Sequence, residues 1–576
     1  MPKKSLLLAL TLIVGFPVLS FAQVPALDPQ ALHTPNVGRE GIVVAEEELA
    51  AKIGADILEQ GGNAIDAAVA TGFALAVTYP AAGNIGGGGF LVYYHAETEE
   101  TIALDYRETA PATAHRDLYL DENGDVDNDR IRYSHQGAGI PGTVAGLLLI
   151  QERYGTLTRQ QVLAPAIKLA EEGYPLRYYA VAGLEADKEH LTRDPDSAAL
   201  FFKEDGGSYL PGEVWKNPDL ANVLKAVSEH GRDGFYKGWV ADAIADDMAA
   251  NGGLITREDL ANYEPKFREP VTGTYRGYTI VSMPPPSSGG VHLIQMLNML
   301  ETRSPYRSSG EDAEQLHLLA EIMRRAYADR AVHLGDPDYV SVPLDALISK
   351  DYANARVAEI ESDRASLSSE VGEGDPAPYE SHQTTHYSVI DRSGSMVANT
   401  YTLNLSYGTG IVVPGTGMLL NNEMDDFSAA PGQPNYFGLV GDEKNAILPG
   451  KRPLSSMTPT LVFKDGEPVM TVGSIGGSRI ITSVLSVILN VIDRDMNIAD
   501  AIVTPRIHHQ WLPDKISFEP GLSEDTKLKL EAKGHTVEAF DWYARASGAI
   551  HLDGWFYGFA DPRTPGGGAC TPDAGC

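Results

Sequence analysis

Only two cysteines occur in 576 residues, and both, Cys570 and Cys576, sit in a Gly/Pro-rich stretch at the very end. That scarcity excludes a disulfide framework, and a cysteine-built metal site is excluded too because no histidine lies near the pair. Bridged or free, the pair would close only a tiny loop, and the residues alone leave both states open. Positive charge is also short: 45 Lys and Arg stand against 78 Asp and Glu, a net charge of -33. Such a balance argues against nucleic acid or an anionic membrane surface as partner and is read as a solvated acidic exterior. Long apolar runs are missing beyond the N-terminus. There, Lys3 and Lys4 precede an apolar stretch from Leu6 to Leu19, and Ser20-Phe21-Ala22 carries small residues where a signal peptidase reads them. The stretch is short for a membrane span and polar Gln23 follows it, so residues 1–22 are expected to be a signal peptide, with no stable membrane anchor. A periplasmic or secreted protein is the consequence.

What is present falls into two halves. Glu47 to Gly61 and Ala64 to Ala76 carry helical apolar spacing. The run Gly83-Asn84-Ile85-Gly86-Gly87-Gly88-Gly89 then enters the strand Phe90–Tyr94. No Lys-Ser/Thr follows these glycines, so they mark close backbone packing rather than a phosphate loop. Thr101 to Tyr106 reads as a strand ending at Arg107. From Gly142 to Ala353 the pattern is mainly helical, including Val144–Tyr154, Val162–Glu172 and Ala313–Ala331. Arg356 to Gln383 loses periodicity and gains Ser, Glu, Asp, Gly and Pro, the composition of a mobile segment, and 351–383 is expected to be a mobile linker.

At Gln383 the linker stops and Thr384-Thr385-His386-Tyr387-Ser388-Val389-Ile390 begins. Hairpin patterns follow: Thr384–Ile390 with Ser395–Leu405, and Thr460–Lys464 with Val469–Gly473. Ser478 to Ile492 is a strong apolar helix opening straight after Gly476-Gly477. Two β layers with helices outside them fit this mixture. A threonine at the head of a β run is a weak nucleophile unless a base takes its proton, and a freed α-amine, with a pKa of about 7.7–8.0, is such a base. Cleavage between Gln383 and Thr384 would free it, so the pattern is that of a self-processing hydrolase precursor. Gly476 and Gly477, at a helix entrance with free N–H groups, suit an oxyanion hole, although alone they read sooner as a Gly-rich strand-to-helix turn. Lys451–Pro459 adds the hydroxyls of Ser455 and Ser456, and Asn421–Asp426 clusters carboxylates suited to an ammonium group. His382, His386 and His508-His509 have no zinc spacing, so no metal is expected.

Together, Thr384–Ser388, Thr400–Asn404, Leu420–Phe427, Arg452–Met457, Gly476–Arg479, Gly61–Ala68, Gly86–Gly89 and Leu104–Pro111 resemble the γ-glutamyltransferase family, in order, from about Gly41 to Arg563. The resemblance implies an α+β fold of the N-terminal-nucleophile hydrolase type, a four-layer αββα sandwich built by two subunits after self-cleavage. The large subunit would span 23–383 and the small one 384–576, with 562–576 a Gly/Pro tail. Thr384 would be the nucleophile and its amine the base. Thr402 would support it, and Gly476 and Gly477 would hold the oxyanion. Arg107, Ser455 and Ser456 match positions for the donor's α-carboxylate; Asn404, Glu423 and Asp426 match those for its α-amino group. The donor would be glutathione or another γ-glutamyl amide, and the acceptor water, an amino acid or a dipeptide, with no cofactor. A glutaryl or cephalosporin acylase of the same fold, or a catalytically dead periplasmic binding protein, are the alternatives. The run Ala430–Gly438 resembles the family's lid, with Phe437 where many bacterial members carry a tyrosine. Phe437 is expected to wall the pocket by packing alone, unless the Tyr436 hydroxyl turns inward to Asn404.

Overall fold

The computed structural model describes residues 32–303, 306, 312–374, 385–433, 436, 442–540 and 544–576. Among them, two seven-stranded sheets form the centre. One runs, in spatial order, Asn36–Gly38, Trp555–Ala560, Arg545–Leu552, Glu467–Ile475, Thr460–Lys464, Tyr278–Ser282 and Val271–Tyr275. The other runs Gly568–Cys570, Gly41–Ala45, Thr385–Asp391, Met396–Thr402, Gly88–His95, Glu100–Tyr106 and Lys266–Arg268.

Three hydrophobic clusters define the layers. Ile42, Val44, Phe90, Val92, Ile390, Ala398, Leu461 and Phe463 pack between the sheets. Their strand neighbours Val43, Ala45, Leu91, Tyr387 and Val389 point the other way, into helices Ala64–Thr78 and Thr143–Tyr154. The side-chain period of two in a strand makes that division automatic, and a strand buried on both faces is apolar at consecutive positions. Helices Gly289–Glu301, Ala313–His333 and Arg479–Ile492 cover the outer face of the first sheet. This is the expected αββα sandwich.

Between the sheets runs a polar belt. His386 Nδ1 is 2.9 Å from Thr400 Oγ1 and its Nε2 is 3.0 Å from Ser388 Oγ. Thr471 Oγ1 donates to Val397 O at 3.0 Å. The glycine run behaves as expected of close backbone packing: a Cβ at Gly87 would lie 1.9 Å from Thr402 O, and one at Gly86 2.2 Å from Leu419 O.

Two expectations need correction. Residues 351–374 are not a mobile linker. Helix Lys350–Ala358 continues into a packed segment in which Arg356, Ala365, Ser368 and Val371 are buried. The polar composition misleads because those side chains have partners: Arg356 pairs with Asp329 at 2.9 Å, and Ser368 N donates to Asp514 Oδ2 at 2.7 Å. Residues 375–383 lie outside the described residues. The mainly helical stretch also hides the hairpin Val271–Tyr275/Tyr278–Ser282, turned by Arg276 and Gly277 with φ of 48° and 81°. Paired positive φ values are those of the tight turn that matches strand twist. The Gly/Pro tail joins the second sheet: Gly568–Cys570 pairs with Gly41–Ala45, and Cys570 is bridged to Cys576.

Among the described residues no helix is long and apolar enough to cross a membrane. The apolar N-terminal stretch lies outside them.

Candidate active site

Strand ends at one edge of the sandwich bring the candidate residues together. Strand Thr385–Asp391 is held between Gly41–Ala45 and Met396–Thr402, with Thr385 opposite Tyr401. Thr384 and Gln383 lie immediately before it, outside the described residues. Thr402 pairs with Gly88, and its Oγ1 accepts from Asn404 N at 2.7 Å. Asn404 has a φ of 73°, a left-handed turn that asparagine tolerates. Its Nδ2 donates to Asn422 O at 2.9 Å, while Oδ1 has no hydrogen-bond partner among the described residues.

From Asn422 the chain enters a short 3-10 turn, Glu423–Asp426, whose carboxylates meet Arg107. Arg107 follows strand Glu100–Tyr106 and is completely buried. Its guanidinium pairs with Glu423 Oε1 and Asp426 Oδ2, with Glu108 Oε2 at 3.5 Å. Three buried carboxylates thus face one cation. Burial, with the neighbouring carboxylates, pushes Glu423 and Glu108 up against the pull of Arg107. The residues expected to hold opposite ends of a zwitterion therefore contact one another directly.

Arg107 Nε also donates to Pro453 O at 3.3 Å, which ties it to the loop carrying the two serines. Ser455 Oγ accepts from Met457 N at 3.1 Å, and Ser456 Oγ accepts from Arg330 Nη2. As acceptors in these contacts, both hydroxyls keep their own O–H for another partner. The Arg330 guanidinium lies 5.6 Å from the Tyr327 ring, and the Tyr327 hydroxyl donates to Ser478 O. Gly476 and Gly477 immediately precede Ser478, with φ of 130° and 59° ahead of helix Arg479–Ile492. A continuous path of contacts thus links Asn404, the Arg107 cluster, the serine loop and the glycine pair.

Sequence reasoning missed Glu108 and Arg330. Glu108 carried a signal, since it adjoins Arg107. Arg330 carried one only in hindsight: arginines at 324, 325 and 330 on a helix buried along nearly its whole length need partners. Of the two residues expected in a lid, Tyr436 is half-exposed with the Arg132 guanidinium 5.2 Å from its ring. Its hydroxyl makes no hydrogen bond to Asn404 Oδ1. Phe437 lies outside the described residues.

His386 is no base. Burial holds its pKa down to about 3 and hydroxyls flank both ring nitrogens. Among the described residues one His/Glu group approaches metal-ligand spacing, His317, Glu321 and His535. Glu321 there is already bonded by Arg325 at 2.7 Å and Arg324 at 3.3 Å, and two guanidiniums oppose a cation.

Comparison with known proteins follows the same outline. The family described as gamma-glutamyltranspeptidase matches residues 50–571. The chain is 48% identical to the glutathione hydrolase proenzyme of Escherichia coli K12, over 92% of this chain and 91% of that one. It is 39% identical to the acylase ACY 1 proenzyme of Pseudomonas sp. strain SE83, over 92% of this chain and 94% of that one. Among solved structures, Helicobacter pylori gamma-glutamyltranspeptidase aligns with a TM-score of 0.56 and 46% identity, covering 60% of this chain and 97% of that one. The cephalosporin acylase of Bacillus halodurans aligns with a TM-score of 0.83 and 28% identity, covering 95% and 99%. The chain belongs to the gamma-glutamyltranspeptidase family.

Proposed function

We propose that the protein transfers γ-glutamyl groups from glutathione and related amides to water or to amino acid and peptide amines, through an ester on Thr384. The observation that carries this reading is the buried cluster of Arg107 with Glu423 and Asp426. A γ-glutamyl group is a zwitterion at its α-carbon. Its carboxylate can take the planar fork of Arg107, helped by the O–H groups of Ser455 and Ser456, while its ammonium takes the carboxylates that Arg107 releases. The exchange keeps buried charges paired throughout, which matters because an unpaired buried charge is costly.

In the precursor the Thr384 nitrogen is an amide. Its hydroxyl attacks the Gln383 carbonyl, the acyl group moves from nitrogen to oxygen, and water splits the ester to leave subunits 23–383 and 384–576. The freed amine then accepts the hydroxyl proton as Thr384 attacks the donor's γ-carbonyl. The N–H groups of Gly476 and Gly477 stabilise the oxyanion, and the leaving amine departs with the proton. Water or an acceptor amine resolves the γ-glutamyl ester. The N-terminal signal pattern supports an exported enzyme.

The acylase reading has similarity behind it but not the charge balance. A glutaryl amide has no α-ammonium, so once its end engaged Arg107, Glu423 and Asp426 would be left without a cation. Intact masses of wild type and Thr384→Ala, with γ-glutamyl anilide turnover measured with and without a dipeptide, test the proposal. Wild type should give two chains and turnover; Thr384→Ala should stay one chain and be inactive. Two subunits from purified Thr384→Ala would sink it, because alanine has no oxygen to attack.

A further inference from the structure

The loop 284–290, which no step of the chemistry uses, is zipped to the loop that carries Ser455 and Ser456. Ser455 N donates to Pro286 O at 2.8 Å, and Ser288 N and Oγ both donate to Ser455 O, at 2.7 and 2.8 Å. The Ser287 hydroxyl donates to Met457 O at 2.6 Å. A Cβ at Gly289 would lie 2.4 Å from Thr458 Oγ1, so the two loops touch without space for a side chain. One edge of the buried Arg330 guanidinium joins them: Nε donates to Ser288 Oγ at 2.9 Å and Nη2 to Ser456 Oγ. Helix Ala313–His333 carries that edge. Tyr327, three residues earlier on the same helix face, has its ring centre 5.6 Å from the guanidinium and its hydroxyl on Ser478 O.

We propose that Arg330 is a positioning residue for donor binding: it fixes the direction of the Ser456 hydroxyl, so that the O–H is presented to the donor's α-carboxylate. An arginine side chain donates and never accepts. Ser456 Oγ can therefore only accept from it, and the one hydrogen of the hydroxyl must be given elsewhere. A carboxylate takes only donors, so the hydroxyl is already turned the way the ligand needs. Ser288 obeys the same logic: it accepts from Arg330 and gives its own hydrogen to Ser455 O. That bond holds the backbone of the first serine while the guanidinium aims the second. Its charge adds to the effect, because a cation behind the hydroxyl polarises the O–H and strengthens its bond to an anion. The role rests on the reading of Ser455 and Ser456 as partners of the donor's carboxylate.

Calorimetric titration of the processed enzyme with L-glutamate, which carries the same α-carboxylate and ammonium as the donor, tests the role. Arg330→Gln puts a side-chain carbonyl where Ser456 can donate inward, so Kd should rise about tenfold or more, the worth of one hydrogen bond to a charged group. Arg330→Lys keeps the charge and only donates, and should lose about threefold. Ser456→Ala should also lose about tenfold. Adding Arg330→Gln to it should then cost less than about threefold more, because the hydroxyl to be aimed is gone. On γ-glutamyl anilide the Arg330→Gln loss should appear in KM, with kcat within about threefold of wild type. An arginine that serves the fold alone would weaken binding equally in both backgrounds, and an additive loss of about a hundredfold in the double variant overturns the proposal. If Arg330→Gln does not fold, Arg330→Lys decides: a loss of the same size with and without the Ser456 hydroxyl, or no loss at all, overturns it. Wild-type affinity in Ser456→Ala would overturn the serine assignment and this role with it. Weakened binding in Ser456→Ala beside wild-type affinity in Arg330→Gln would overturn this role alone.

Discussion

Single side chains carry the charge logic of this protein. Arg107→Ala would leave Glu108, Glu423 and Asp426 buried with no cation. We expect kcat/KM for γ-glutamyl donors to fall by about 2–5 kcal/mol of transition-state binding, and Tm to fall with it. Adding Glu423→Gln should recover part of the Tm but none of the kcat/KM, because the stability loss is excess buried charge and the activity loss is the missing fork. Recovery of both would mean that Arg107 serves the fold alone. Glu46 offers a second test. Burial pushes its carboxyl from 4.5 up to about 7, against the pull of Arg545. The folded chain therefore holds that proton more tightly than the unfolded one. This contribution is full below about pH 4.5 and is lost as pH rises through about 7, a swing of about 3 kcal/mol. Glu46→Gln keeps an acceptor for Thr564 and cannot ionise. Its denaturation midpoint should match wild type near pH 4 and exceed it at pH 8. Parallel stability curves across that range would contradict the assignment.

At the scale of elements, the glycine pair shows what a helix entrance can do. φ values of 130° and 59° at Gly476 and Gly477 turn the chain from strand Glu467–Ile475 into helix Arg479–Ile492. A side chain at Gly476 would force the backbone away from a conformation that L-residues rarely adopt, re-aiming its N–H. Losing one oxyanion donor costs about 10²–10³ in kcat, so Gly476→Ala should lower kcat on that scale with KM nearly unchanged. Steady-state kinetics on a γ-glutamyl anilide would decide; a kcat within about threefold of wild type would remove the pair from the chemistry. The hairpins around Asp391–Gly394 and Asp465–Gly466 were legible because alternation and turn residues agree locally. The hairpin turned at Arg276-Gly277 was not, since its short strands sit inside a long helical stretch and their pairing with Thr460–Lys464 is remote in sequence.

Over the whole molecule, cleavage after residue 383 would separate no layer. The first sheet takes three strands from before that point and four from after it; the second takes four and three. Strand Thr385–Asp391 lies between two strands of its sheet, one from each side of the cut. The nicked protein should therefore elute as one body of roughly the full mass in gel filtration, unfold in one cooperative transition, and separate only in denaturant. Dissociation of native subunits on dilution would contradict this architecture. The contrast between the expected linker and the observed packing at 351–374 belongs to this scale too: Arg356, Ser368 and Val371 find partners only once helix Ala313–His333 and the segment around Asp514 are in place.

By itself, the sequence determined the layer pattern, the threonine at the head of a strand, the glycine pair at a helix entrance and the residue types needed for a zwitterion. These are local: propensity, period and turn chemistry act over a few residues. Tertiary structure alone decided that Arg107 would meet carboxylates more than three hundred positions away and that Glu108 and Arg330 would join the site. Periodicity says which face of an element is buried but not what it is buried against. Charges brought together from distant segments become visible only when the two sheets close on each other.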